Sequence, residues 1–226
     1  MTLFRRSGLA VHKVCGEYMK WRPASVYQIG IGQYHEEVDV MREQWGNFKL
    51  FGCEPHPKLI KDLKENYGGE LYEVAISDYE GEAVLYDKPR HKDGSSLLQH
   101  TSDPNDHTYK VSVTTIDKLW ANGPEALPCL LWVDCEGSEL AVLRGGEKFI
   151  DKVDVLNIEI TSKEVWQCPS EGVEIHKWIK DHGFRRQWVH TARAHMGQVD
   201  VIYVRPHLFI PSICCCQCEL MDEKYL

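Results

Sequence analysis

The chain lacks any run of apolar residues approaching the ~18 that a membrane-spanning helix requires, so no membrane span is expected. It also lacks an excess of positive charge, with 34 acidic residues against 26 Lys and Arg and a formal charge of −8. Proteins that bind phosphate backbones generally need clustered cations, so nucleic acid is not an expected partner. The first twenty residues, MTLFRRSGLAVHKVCGEYMK, include basic groups but no continuous apolar stretch of the kind that forms a secretory signal. Nor do the nine cysteines form a paired framework. Five stand singly (Cys15, Cys53, Cys129, Cys135, Cys168) and read as reduced, partly buried thiols. Together these absences point to a soluble, cytoplasmic protein.

What is present is enough apolar material, 43% of 226 residues, for one well-filled domain. Residues 1–24 show only weak helical periodicity and read as an N-terminal cap. Residues 25–210 form the domain, and 211–226 form a tail carrying Cys214, Cys215, Cys216 and Cys218.

Within the domain, β and α patterns alternate. Ser25 to Ile29 is an apolar strand closed by Gly30-Ile31-Gly32, and Val38, Met41 and Trp45 then recur at helical spacing. Phe48 to Cys53 is a second strand, and Pro57 suits the first turn of the helix after it. Glu70 to Ile76 reads as a third strand, Glu82 to Tyr86 as an added one, and Tyr109 to Ile116 returns to β character. Between them lies a polar segment of roughly 20 residues, a length that inside a compact domain usually marks function. Asp117 is placed to cap a short helix. Leu130 to Val133 and Val153 to Ile160 are buried strands ending in acids, a helix from an N-cap at Ser170 runs to Gly183, and Phe184–Val189 pairs with Val199–Val204. The expected fold is a doubly wound, Rossmann-like α/β sheet with antiparallel C-terminal strands.

In such a sheet, ligands bind beyond the carboxyl ends of the strands. At the first end, Gly30 and Gly32 would let a ligand approach the backbone, although His35 stands where a dinucleotide fingerprint needs a third small residue. At the second end, Glu54 stands at the spacing of a carboxylate that accepts from ribose hydroxyls, with Pro55 beside it. After the third, Ala75, Ile76, Ser77 and Asp78 could line an adenine slot. Turn, acid and slot on successive strands describe a nucleoside cofactor. A pyrophosphate would be repelled by Glu36 and Glu37 early in the helix after the glycine turn, whereas the cationic sulfonium of S-adenosylmethionine tolerates acids.

The fourth strand end carries the densest chemistry, Val133-Asp134-Cys135-Glu136-Gly137-Ser138-Glu139 followed by Leu143-Arg144-Gly145. Together with Tyr27-Gln28-Ile29-Gly30, Cys53-Glu54-Pro55-His56-Pro57, Ala75-Ile76-Ser77-Asp78 with Gly81, Gly94-Ser95-Ser96-Leu97 and Thr115-Ile116-Asp117, this pattern resembles the FkbM-type methyltransferases over about residues 25–160. The resemblance implies the class I methyltransferase fold, S-adenosylmethionine as cofactor with S-adenosylhomocysteine as product, and methyl transfer to an oxygen of a small molecule or glycan. Gln28 stands where the family usually has an acid that helps hold the amino-acid end of the cofactor.

On this basis Gln28, Gly30, Gly32, Glu54, Pro55, Ala75, Ile76, Ser77 and Asp134 are expected to bind the cofactor. Asp134 and Glu136 are the expected catalytic pair, with Glu136 as base or substrate ligand. Ser95, Ser96 and Glu159 are expected on the acceptor side and Glu139 is expected to stabilise the helix N-terminus; no metal is expected, with a divalent ion bridging Asp134, Glu136 and Glu159 as the minority alternative. His35, His190 and His195 are further acid/base candidates, and Arg185, Arg186 and Arg193 could hold an anionic acceptor. Two alternatives stay open: a degenerate nucleoside-binding module without catalysis, and a nucleotide-cofactor oxidoreductase.

Overall fold

The computed structural model describes residues 11–33, 36–87, 94–99, 107–161, 172–190 and 197–213. His35, Cys168, Ser170, Arg193, His195 and the tail cysteines lie outside them, as does the side chain of Glu36. The elements in chain order are β1 (Ser25–Ile29), α1 (Glu36–Trp45), β2 (Lys49–Cys53), α2 (Pro57–Asn66), β3 (Glu70–Tyr72), β4 (Ala75–Ile76), β5 (Gly81–Asp87) and β6 (His107–Thr114). They continue with α3 (Ile116–Leu119), β7 (Cys129–Val133), α4 (Glu139–Arg144), β8 (Val155–Thr161), α5 (Gly172–Asp181), β9 (Arg185–His190) and β10 (Gln198–Val204).

Among the described residues the main sheet has seven strands in the order β3-β2-β1-β7-β8-β10-β9. β1 is central and pairs in parallel with both β2 and β7, so Gln28 lies between Gly52 and Trp132. The hairpin strands are antiparallel, as the sequence indicates, but β10 inserts between β8 and β9 rather than extending the edge. β9 therefore runs with the parallel strands and only β10 opposes them.

Both faces of the sheet are covered, which is why β1 and β7 are buried at every position. One face packs Tyr27, Ile29, Leu131, Val133, Leu156 and Ile158 against α4, α5 and Trp120. The other packs Val26, Leu130, Trp132 and Ile202 against α1, α2 and the segment holding Val11, Val14 and Cys15. No helix among the described residues is long and apolar enough to cross a membrane.

Two expectations change. The single strand predicted over Glu70–Ile76 is broken: Val74 N donates to Tyr72 O at 3.0 Å, and the chain leaves the main sheet for a second one, ordered β4-β6-β5. Apolar patterning could not reveal the break, since both halves are compatible with a strand. Asp117 does not cap its own helix. Thr115 does, accepting from Lys118 N at 3.0 Å, while Asp117 accepts from Lys148 N and Phe149 N and so ties α3 to the turn after α4.

Candidate active site

The parallel strands deliver the glycine turn, Glu54 and the acid turn after β7 to one edge of the sheet. Gly30 has φ +80°, and a Cβ there would lie 1.9 Å from the carbonyl oxygen of Asp134. Asp134 N in turn donates to Ile29 O at 2.9 Å. The β1 and β7 ends are thus in backbone contact, which only glycine permits at position 30. Gly32 is also left-handed, at φ +63°, but a Cβ there would meet nothing within 4 Å.

Glu54 is buried and clamps this turn. Its Oε2 accepts from Ile31 N at 3.1 Å and Gly32 N at 2.9 Å, and Oε1 accepts from His56 N at 2.8 Å. Three of about four acceptor positions on a carboxylate are therefore engaged by backbone. Burial raises its pKa, while the amide bonds from Gly32, His56 and Ile31 and the charge of His56 oppose the rise. Gln28 is enclosed, with its amide oxygen accepting from the Tyr67 hydroxyl at 3.2 Å. The Glu54 bonds from Ile31 and Gly32 and the Gln28–Tyr67 bond were not apparent from sequence, because they join residues on different elements.

After β7, Glu136 adopts φ +50° and Gly137 φ +101°. A left-handed glutamate costs on the order of 1 kcal/mol, and the fold holds it there. The buried Ser96 hydroxyl donates to Glu136 O at 2.7 Å and accepts from Leu98 N at 3.0 Å. Ser96, expected to touch the acceptor, here fixes the backbone of the catalytic candidate. Ser95 is half-buried beside it.

Glu139 is the first residue of α4, where a carboxylate meets the positive helix end. Its Oε1 accepts from Gly137 N at 2.9 Å and Cys135 N at 3.2 Å. Burial pushes its pKa up to about 7, against the lowering effect of those amides. A carboxyl whose pKa is raised on folding adds stability below its unfolded value near 4.5, and this is lost as pH rises through about 7, a difference of about 3 kcal/mol. Glu139→Gln can keep both bonds, since one oxygen accepts them. It is therefore expected to be more stable than the parent at pH 8 by about that amount and nearly equal to it at pH 4.5, as measured by denaturant unfolding across pH. A stability difference that stays flat with pH would remove the buried-charge explanation.

Glu159 is not at the end of β8 but two residues inside it, fully buried and opposite Asp200 of β10. Gln198 Nε2 donates to Glu159 Oε1 at 2.8 Å and to Glu136 Oε2 at 3.0 Å, linking the two glutamates. Although no metal is expected from sequence, carboxylate oxygens of Asp134, Glu136 and Glu159 all lie within 4.8 Å of one another. Sequence reasoning missed Gln198 and Asp200. Their two-residue spacing, which puts both on one face of a strand, was the available signal.

His190 ends β9 on the same sheet edge, with Nδ1 3.5 Å from Asp200 Oδ2. Arg185 and Arg186 begin β9, at the opposite edge, because β9 runs parallel to β8; an anionic acceptor held there would be remote from the acids. Arg185 lies over the Phe209 ring at 4.2 Å. Ala75, Ile76 and Ser77 are buried, and a Cβ on Gly145 would meet Ser77 O at 2.0 Å. Ser77 thus packs against the far end of α4, about 9 Å from where that helix leaves the crevice. The stretch beside Glu54 is Tyr72, whose carbonyl accepts from Glu54 N at 3.0 Å. Pro55 is half-buried next to it.

This sheet order and crevice are those of a class I methyltransferase fold. The plantazolicin methyltransferase BamL, solved with a triazolic desmethylPZN analogue and SAH, superposes with a TM-score of 0.50 at 10% identity, covering 88% of this chain and 84% of that one. Fibrillarin of Aeropyrum pernix, solved with natively bound S-adenosyl-L-methionine, gives 0.48 at 15% identity over 88% and 75%. Residues 27–186 match the methyltransferase FkbM domain, and the chain belongs to that family. The 2-O-methyltransferase NoeI of Sinorhizobium fredii (strain NBRC 101917 / NGR234) is 29% identical over 140 residues, 53% of this chain and 56% of NoeI, so the match spans about half of each.

Proposed function

We propose that the chain is an S-adenosylmethionine-dependent methyltransferase that methylates a hydroxyl of a small molecule or sugar. The observation that carries this reading is the backbone contact between the Gly30 turn and the Asp134–Gly137 turn, which puts a cofactor-approach surface and a pair of carboxylates on one wall. The cofactor would lie over Gly30 and Gly32, with its ribose near Glu54 and Pro55 and its adenine towards Tyr72, Ala75 and Ile76. Gln28 would act from beneath through Tyr67, and Ser77 through its packing. The sulfonium would face Asp134, where attraction between opposite charges is strengthened by partial burial.

Methyl transfer is an in-line displacement. When bound, S-adenosylmethionine would supply an electrophilic methyl group whose transfer leaves the electron pair on sulfur, and the proton of the acceptor hydroxyl would pass to a base of this chain. Glu136 is that base, with Asp134, Glu159 and Ser95 orienting the acceptor. The 2-O-methyltransferase activity named for NoeI supports an oxygen acceptor.

Calorimetric titration with S-adenosylhomocysteine, followed by a screen of polyol acceptors for a methyl mass shift, tests the proposal. Micromolar binding and a transferred methyl are expected. No heat and no thermal shift at millimolar ligand would favour the second reading, a module that has lost its cofactor. The neutral Gln28 motivates that reading, since an acid there would supply a charge-assisted bond of roughly 1.5–3 kcal/mol.

A further inference from the structure

The imidazole of His56 is buried, and the chemistry described so far does not use it. It touches three parts of the fold. The His56 backbone N–H donates to Glu54 Oε1 at 2.8 Å, at the end of β2. Its ring Nδ1 accepts from Lys58 N at 3.2 Å and so caps α2. Nε2, left to donate, lies 3.4 Å from Oδ2 of Asp87, the last residue of β5, and the ring stands 5.0 Å from that of Tyr109 on β6. Lys58 Nζ also reaches Asp87 Oδ2, at 3.3 Å, but from a largely exposed position where such a pair contributes little.

From Asp87 the contacts continue to the acid turn. Its neighbour Tyr86 exchanges two backbone hydrogen bonds with Ser96, at 2.8 Å and 3.1 Å. The Ser96 hydroxyl donates to Glu136 O at 2.7 Å. An unbroken run therefore leads from Glu54 through His56, Asp87 and Ser96 to the backbone of Glu136, by way of the second sheet.

Glu54 is the end at which a cofactor would load this run. Oε2 already accepts two amides, so the one acceptor position left is on Oε1, the oxygen that His56 N bonds. A ribose diol donates two hydrogen bonds, one more than that position takes, so the carboxylate must shift, and the amide sharing Oε1 moves with it. Close-packed interiors transmit such displacements rather than absorb them.

We propose that His56 is a positioning residue that couples the cofactor pocket to the segment 94–99 and, through Ser96, to the backbone of Glu136, so that filling the pocket closes the acceptor wall. The coupling rests on the reading of Glu54 as the ribose ligand and Glu136 as the base.

Two variants separate the helix cap from the tie to Asp87. Asparagine is a strong N-cap whose side-chain oxygen can take the Lys58 amide but is too short to reach Asp87, so His56→Asn keeps the helix and severs the tie. Asp87→Ala severs it from the other side. Amide hydrogen exchange of the full chain, with and without saturating S-adenosylhomocysteine, reads the result. In the parent the ligand is expected to slow exchange of the Ser96 and Leu98 amides about fivefold or more. In both variants that slowing falls below about twofold, while the Ile31 and Gly32 amides remain slowed. Calorimetric affinity changes less than about threefold, because a segment that opens rarely adds little to it. Lys58→Ala behaves as the parent. Slowing at Ser96 and Leu98 that survives in either variant, or that is missing from the parent with ligand bound, overturns the coupling and leaves the methyltransferase reading standing. Failure of the parent to bind the ligand would sink both.

Discussion

Gly30→Ala is expected to abolish S-adenosylhomocysteine binding and lower the unfolding midpoint by about 10 °C, whereas Gly32→Ala weakens binding with little loss of stability. The two glycines share a left-handed backbone, so each substitution carries a conformational cost of about 1 kcal/mol. They differ in what the new methyl group meets. At position 30 it lies 1.9 Å from Asp134 O, a backbone atom fixed by its own strand, so β1 and β7 must separate. Overpacking of this kind costs a further few kcal/mol, and about 2–4 °C accompanies each for a chain of this size. At position 32 the methyl group enters open space, on the surface proposed for the cofactor. Thermal unfolding and calorimetry on both variants decide the matter. Equal destabilisation by the two would show that the contact with Asp134 does not govern the site.

Glu136→Gln is expected to lower kcat about 10³-fold with cofactor affinity changed less than about twofold, the signature of a lost proton acceptor. The amide preserves length and can still accept from Gln198 Nε2, and glutamine at φ +50° is no more strained than glutamate. Structural disruption is therefore an unconvincing cause of any loss. Single-turnover methyl transfer as a function of pH is the decisive measurement. Undiminished turnover in this variant would assign the proton to another group.

The strand-end positions of the candidate residues are legible in the sequence. The Asp134-Cys135-Glu136-Gly137 run after an apolar strand marks the end of β7, and Glu139 begins the helix that follows, but its carboxylate accepts from the Gly137 and Cys135 amides of the turn before that helix. Gly30 was singled out for close backbone approach, but the partner it approaches is the β7 end of the same chain. Glu54 was read as a ribose ligand from its spacing, yet its three amide bonds come from a turn more than 20 residues earlier and from its own neighbour. The seating of Ser96 on the Glu136 carbonyl and the pairing of Gln28 with Tyr67 had no signal in composition or periodicity, and the alternation that puts Gln198 and Asp200 on one strand face did not name Glu136 and Glu159 as the partners of Gln198.

The sequence by itself determined the alternation of elements, the buried character of the central strands and the positions of the strand-end acids, because these depend on local periodicity and turn chemistry within a few residues. Only the tertiary structure decided that β10 inserts beside β8, and with it that Gln198 and Asp200 join Glu159. Strand insertion is set by which edge buries the most surface and pairs the most backbone. That is a property of the assembled sheet, and no single strand carries it in its residues.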